Sequence, residues 1–356
     1  MIRYAEPPEG DLGVAAESNR STPDMTHDVS QGILELTGSF SLRHGGSIRD
    51  LRLAWRLEGA TGAPVVVAMG GISAHRRIFD LTAPREGWWP ELAGPGRPLD
   101  PCRFRLLGFD FLGGSGQTTG PAPGEPEFPS VSSCDQAALL AALCDHLGIA
   151  RLRAIAGASY GGMVALAFAE RHPQRVERML VISAAHRTNP MSTAWRSVER
   201  EAVRFGMARG DGPGGLRLAR ALAMATYRSR AEFEQRFEGE AEQSDGRFVF
   251  PVERYLFARG DEYSRRYSPG AFLCLSESID LHRVAPGAIR VPTALVGVLE
   301  DQLVPIEDMR ELAARLAGPQ RLFEFSSLYG HDAFLKERHK LEPAFAWALD
   351  GDGDEP

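Results

Sequence analysis

Three residues in this chain have the chemistry of an activated nucleophile and its support. Ser159 lies in "GASYG", Asp301 in "LVGVLEDQLVP" and His331 in "LYGHDAFLKE". A serine hydroxyl attacks weakly until a base takes its proton, and the base needs a third group to fix its tautomer and offset its developing charge. Histidine and aspartate supply those two functions. Gly157 and Gly161 flank Ser159 and remove the Cβ atoms that a sharp strand-to-helix bend would bring into collision. Such a bend leaves the hydroxyl exposed above a sheet and beside the N-terminus of the following helix. Taken singly, Asp301 also reads as a turn residue and His331 as a helix-start histidine. Their chain order after Ser159, each beyond an apolar run, is what joins them.

The elements that must position these residues can be read from periodicity. "GILELTGSFSLR" and "IRDLRLAWRLEG" flank His44-Gly45-Gly46 and predict an antiparallel hairpin. "APVVVAMGG", "FRLLGFDFLGG", "LRAIAG", "RMLVISAA" and "PTALVGVLE" follow as short β-rich runs separated mostly by helical patterns, which implies a mainly parallel sheet covered on both faces. Serine, aspartate and histidine in that order on such a sheet is the α/β-hydrolase arrangement. The predicted core spans residues 31–187 and 287–350. Between them, residues 188–286 are helical and arginine-rich, and predict an inserted lid. Residues 1–30 predict a disordered leader and residues 351–356, "GDGDEP", a solvated acidic tail.

An acyl-transfer serine also needs two N–H donors aimed at the oxyanion. The N–H of Tyr160 is the expected first, and Gly71 or Ile72 in "MGGISAH" the second. "DFLGGSGQTTG" is glycine-rich but carries no lysine after its glycines, so a site-forming loop is a better reading than a phosphate cradle.

Bulk properties narrow the remaining classes. The 356 residues, 43% of them hydrophobic, suffice for a large α/β domain with an insertion. A formal charge of -7 without a dense basic run speaks against nucleic acid or an anionic membrane as partner. No stretch approaches the roughly 18 apolar residues of a membrane span, and no export signal opens the chain, so a cytoplasmic protein is expected. Cys102, Cys134, Cys144 and Cys274 have neither metal-ligand spacing nor the density of a disulfide framework. His75, His186 and His282 lack paired ligand spacing, and no metal or cofactor is implied.

Longer stretches carry a more specific likeness. "GWWPELAGPGRPLDPCRF", "FLGGSGQTTGP", "GASYGGMVALAFAERHPQRV", "WRSVEREAV", "GLRLARALAMATYRS", "SESIDLH" and "GHDAFL", in that order, resemble the homoserine O-acyltransferases of methionine biosynthesis, a family of the α/β-hydrolase superfamily. The resemblance covers most of the chain after about Gly32 and implies a cytoplasmic, homodimeric transferase that moves an acyl group from coenzyme A to an amino-acid hydroxyl. Carried over by position, Ser159, Asp301 and His331 look like the triad, and Arg220 and Asp332 like the pair that holds the amino acid. The charges suit that task, since a zwitterion needs a cation for its carboxylate and an anion for its ammonium. A solvated helix arginine and a helix-capping aspartate are the alternatives.

The donor is a question of charge. Succinyl carries a carboxylate that is costly to bury unpaired, whereas acetyl does not. The resemblance gives acetyl-using members an uncharged polar residue where this chain has Arg196, and some succinyl-using members an arginine. Arg196 is the first candidate for the succinyl cation and Arg187 the second; either could instead pair with Glu199 or Glu201. The expected activity is therefore homoserine O-succinyltransferase. Homoserine O-acetyltransferase and serine O-succinyltransferase are the alternatives within the class, and a lidded carboxylesterase lies further off.

Overall fold

The computed structural model describes residues 27–83, 86–122, 128–244 and 246–351. Most of the leader expected over residues 1–30 and most of the tail expected over 351–356 lie outside the described residues. Residues 27–30 open the first strand.

Strands β1 (His27–Ser41) and β2 (Ser47–Ala60) form the antiparallel hairpin that the sequence predicts. Gly45 and Gly46 turn it at φ of +96° and +79°, backbone that glycine adopts without a Cβ penalty. Six further strands complete one sheet: β3 (Val65–Met69), β4 (Arg105–Phe109), β5 (Leu152–Ala158), β6 (Val176–Ile182), β9 (Thr293–Val298) and β10 (Gln320–Phe325). Their order is β1-β2-β4-β3-β5-β6-β9-β10, with β2 antiparallel to both neighbours and every other pairing parallel.

Beyond Arg153, Glu177 and Arg178 near the starts of β5 and β6, the central strands read as continuous apolar runs because both faces are covered. Val67, Met69, Ile155, Val181 and Leu295 point into one core with helices α1 (Ser133–His146), α2 (Tyr160–Arg171) and α8 (Ile306–Arg315). Alternate residues Val66, Ala68, Ala156, Leu180 and Val296 point into a second core with Trp89 and α9 (Arg338–Asp350). Burying one leucine-sized side chain contributes about 1.5–3 kcal/mol. The two cores therefore fix strand register firmly.

Between β6 and β9 run α3 (Pro190–Met207), α4 (Gly212–Tyr227), α5 (Arg230–Arg236), α6 (Pro251–Ser264) and α7 (Pro269–Asp280), with a two-stranded hairpin of β7 (Glu242–Ser244) and β8 (Arg247–Val249). This block has a small core of its own around Val203, Leu216, Ala219 and Phe272. Neither that hairpin nor β10 shows in the sequence pattern. β10 is a half-exposed edge strand whose Arg321 and Glu324 break its apolar alternation.

Three parallel strands end at one rim of the sheet. Ser159 follows β5, Asp301 follows β9, and the loop from Gly70 to His75 follows β3, the side of an α/β sheet where ligands bind. A close approach of backbones fixes this rim: a Cβ on Gly161 would collide with the carbonyl oxygen of Met69 at the end of β3. The substitution Gly161→Ala is expected to cost about 1–3 kcal/mol of stability through overpacking, seen as a lowered thermal midpoint.

Candidate active site

Ser159 sits between β5 and α2 at φ +53°, ψ −121°, a conformation that side chains rarely adopt. Such a residue stores about 1–3 kcal/mol of strain and persists only where its surroundings over-determine it. Here the N–H of Ser159 donates to Ile182 O at 2.9 Å, and the N–H of Gly161 to Gly70 O at 2.9 Å. The bend sends Oγ out of the helix towards His331.

The three sequence candidates meet. Ser159 Oγ lies 2.8 Å from His331 Nε2, and His331 Nδ1 lies 2.7 Å from Asp301 Oδ2. The other carboxylate oxygen of Asp301 accepts from the N–H groups of Leu303 and Val304 at 2.9 and 3.0 Å, so the carboxylate cannot swing away. His331 stands in a 3-10 turn, Gly330–Leu335, with the ring of Tyr227 at 5.8 Å and that of Phe334 at 6.0 Å. Burial disfavours the imidazolium, but the charge and hydrogen bond of Asp301, helped by Asp332, outweigh it and hold His331 above the usual histidine value. A base tuned in this way can take a hydroxyl proton and stabilise the charge it acquires.

Tyr160 is the first residue of α2, so its N–H has no acceptor within the helix. Its side chain turns into the core, where its hydroxyl is 2.6 Å from Ser278 Oγ. Gly71 and Ile72 both line a cavity of roughly 190 Å³ with Ser159 and His331. Ile72 alone of the two also faces a smaller cavity of roughly 50 Å³ on the other side of the serine and an outer one of roughly 730 Å³. The carbonyl of Gly71 accepts from Ala74 N–H at 2.8 Å, which fixes the plane of the peptide that bears the Ile72 N–H.

Arg220 and Asp332 stand on the wall of the 190 Å³ cavity. The Arg220 guanidinium lies over the rings of Tyr263 and Tyr227 at 4.7 and 5.0 Å. Burial works against its charge, yet Tyr227, Tyr263, Asp332 and Glu199 together hold its pKa above the ordinary arginine value. Asp332 pairs with Arg228 at 3.0 Å, a partner the sequence did not suggest. Tyr227 and Trp88 also line the cavity; neither carries a spacing that would single it out.

The donor candidates separate. Arg196 is buried and lines the 50 Å³ cavity, its Nε and Nη2 donating to Asp280 Oδ1 at 3.0 and 2.7 Å. Its partner is thus Asp280 of α7, neither Glu199 nor Glu201, and Arg200 shares that carboxylate at 2.6 Å. Arg187 also reaches this cavity but is exposed and paired with Glu311 at 3.1 Å. Glu199, buried beside Arg196, is a site residue that the sequence offered only as an ion-pair partner.

The outer cavity takes in Gly114, Ser115 and Gly116 of the glycine-rich loop, and six basic side chains: Arg220, Arg228, Arg236, Arg259, Arg266 and Lys336. His75 is on its wall, its pKa lowered by burial. His282 is a core residue between Ser133 Oγ at 2.7 Å and Ala185 O at 3.1 Å, its pKa pushed down to about 3 by burial. His186 packs near Arg315. Among the described residues no group of three or more His, Cys, Asp or Glu side chains is arranged to hold a metal ion, and all four cysteines are free.

A family model for the alpha/beta hydrolase fold matches residues 82–337. Homoserine O-succinyltransferase of Xanthomonas campestris pv. campestris is 44% identical over 94% of this chain and 88% of that protein. Serine O-succinyltransferase of Litchfieldella anticariensis is 34% identical over 88% of this chain and 96% of that protein. The crystal structure of homoserine O-acetyltransferase from Bacillus anthracis shares the fold at a TM-score of 0.81 and 18% identity, covering 90% of this chain and 98% of that one.

With Asp301 holding both the tautomer and the charge of His331, Asp301→Asn is expected to lower kcat about 10⁴-fold while leaving the circular dichroism spectrum intact. In the unaltered protein kcat/KM should fall on the acid side, as His331 is protonated, with a midpoint above the ordinary histidine value of 6.5.

Proposed function

The chain belongs to the alpha/beta hydrolase fold family and, within it, to the O-acyltransferases of homoserine and serine, and we propose that it is a homoserine O-succinyltransferase that moves succinyl from succinyl-coenzyme A to the hydroxyl of L-homoserine. The observation that carries this is the wall around the linked serine and histidine: a buried arginine, Arg196, in the inner cavity, and an arginine and a carboxylate, Arg220 and Asp332, in the neighbouring one. An esterase that passes its acyl group to water has no use for a zwitterion's two counter-charges. Within the class, the 44% relative favours homoserine and succinyl over the serine and acetyl alternatives.

The geometry supports the following steps. Ser159 Oγ attacks the thioester carbonyl as its proton passes to His331 Nε2. The oxyanion meets the N–H groups of Tyr160 and Ile72. When the tetrahedral intermediate collapses, the carbon–sulfur bond breaks and His331 returns the proton to the departing sulfur, leaving a succinyl ester on Ser159. Arg196 faces the acyl carboxylate. The six basic side chains of the outer cavity exceed its four carboxylates, Asp110, Glu232, Glu262 and Asp332, an excess that suits the phosphates of coenzyme A. Homoserine then enters against Arg220, which takes its carboxylate, and Asp332, which takes its ammonium. His331 removes the hydroxyl proton, the new oxygen attacks the ester, and O-succinylhomoserine leaves as Ser159 recovers its proton. Phe272, Ile279 and Tyr227 of the inserted helices close over the serine and exclude water, which favours transfer over hydrolysis.

The chain works as a cytoplasmic homodimer. Met191, Val198 and Phe205 on α3 repeat every seventh residue and are exposed, as is Leu218 on α4, so the inserted helices present an apolar stripe for a second copy. Val198→Glu with Phe205→Glu should convert a dimer to a monomer in sedimentation equilibrium.

Coenzyme A release, with succinyl- and acetyl-coenzyme A each crossed against homoserine, serine and water, tests the activity. Release is expected with succinyl donor and homoserine and none with Ser159→Ala; equal release in water alone would make the protein a hydrolase. Arg220→Ala should raise the homoserine KM by the equivalent of about 2–5 kcal/mol, and that of the donor by less.

A further inference from the structure

Glu199 has no task in the reaction as drawn. It lies on α3 one turn beyond Arg196, only 4% exposed, and lines the small cavity with Ser159 and His331. Among the described residues it makes no hydrogen bond or ion pair, because Arg196 and Arg200 on either side of it both turn to Asp280. A buried carboxylate left in that state is costly. The groups facing it are Arg196 and Arg200 from its own helix, Arg220, Tyr227 and Tyr263 from α4 and α6, Asp280 from α7, His331 from the 3-10 turn, and across the cavity Asp308 of α8 and Arg187, itself paired with Glu311. Two arginines share the one carboxylate of Asp280, so one positive charge is in surplus. Arg220 lines the two neighbouring cavities and not this one, so within the small cavity the surplus balances either an ionised Glu199 or an incoming carboxylate, not both. An ammonium would be repelled from this corner.

Two carboxylates in one small cavity cannot both ionise, and the neutral acid gains an O–H donor that the ionised one lacks. We propose that Glu199 selects the donor: as the neutral acid it donates a hydrogen bond to the far carboxylate of the succinyl group while Arg196 supplies the charge, and it takes up one proton from solvent as that group enters. The inference rests on the succinyl reading above. Burial, against the pull of Arg196, Arg220 and Arg200, already lifts the pKa of Glu199 to about 7 in the free protein, and a second carboxylate beside it raises the value further. Above about pH 7, succinyl binding is thus linked to uptake of one proton and weakens by about tenfold per pH unit until the bound-state value is passed. Acetyl has no such charge and no such slope.

The test is titration calorimetry on Ser159→Ala protein with succinyl- and acetyl-coenzyme A, at about pH 8, in two buffers of different ionisation enthalpy. Protonation of the coenzyme A moiety is common to both donors and cancels in the comparison. The expected result is close to one proton taken up per succinyl-coenzyme A beyond the acetyl value, an excess that disappears when Glu199→Gln is added. Succinyl-coenzyme A binding with no excess proton, or an excess that survives Glu199→Gln, overturns the role of Glu199 and leaves the proposed activity standing. Binding of acetyl-coenzyme A alone overturns both. If the Glu199→Gln protein does not fold, the ratio of succinyl to acetyl kcat/KM in the unaltered enzyme decides: a fall of about tenfold per pH unit above about pH 7 supports the proposal and a flat ratio defeats it.

Discussion

A serine held at φ +53° is unstable on its own, and most of the fold is arranged to keep it there. The bend needs β5 and β6 in register so that Ile182 O receives the Ser159 N–H. It needs β3 close enough for Gly70 O to receive that of Gly161. Both depend on central strands packed from two sides, which is why the runs around Val66, Ile155 and Val181 are apolar on both faces. Strain at one residue is thus sustained by the register of three strands. What it secures is a hydroxyl already within hydrogen-bond distance of its base, so no rearrangement of the serine precedes attack.

A second demand is electrostatic. Whereas α7 adds Cys274 and Leu275 to the main core, α3 turns charge inward: its buried stripe is Ser192, Arg196, Glu199, Arg200, Val203 and Gly206. A hydrophobic stripe would pack these helices more simply. Ionic groups there suit a cavity that must receive charged substrates, because cations already desolvated and oriented by Asp280 need little reorganisation when a carboxylate arrives.

How legible the molecule was depended on whether a feature is local. The hairpin, the central strands and the bend at Ser159 are written in adjacent residues, and Asp301 and His331 declare themselves by standing after Ser159 beyond an apolar run and in a "GHDAFL" turn. Long-range pairing is not written so. Asp280 stands 84 positions from Arg196, and nothing in "SESIDLH" marks it as the partner in preference to the nearer Glu199 and Glu201. Arg228 was hidden beside Arg220 in the same helical run, and its hold on Asp332 emerges only when the 3-10 turn folds back on α4. Edge strand β10 was obscured because an edge tolerates the charges that an interior strand excludes.

Ile72 forms part of the wall of the outer, middle and inner cavities alike, whereas Arg220 borders two of them and Arg196 one. This gives the site an uneven evolvability. Trp88 is private to the middle cavity, and Arg196 and Glu199 are private to the inner one, so a change at any of these is felt on one side only. A change of bulk at Ile72 is felt on every side at once. Lineages that exchange one substrate while keeping the other should therefore travel by the private walls and leave this shared partition in place.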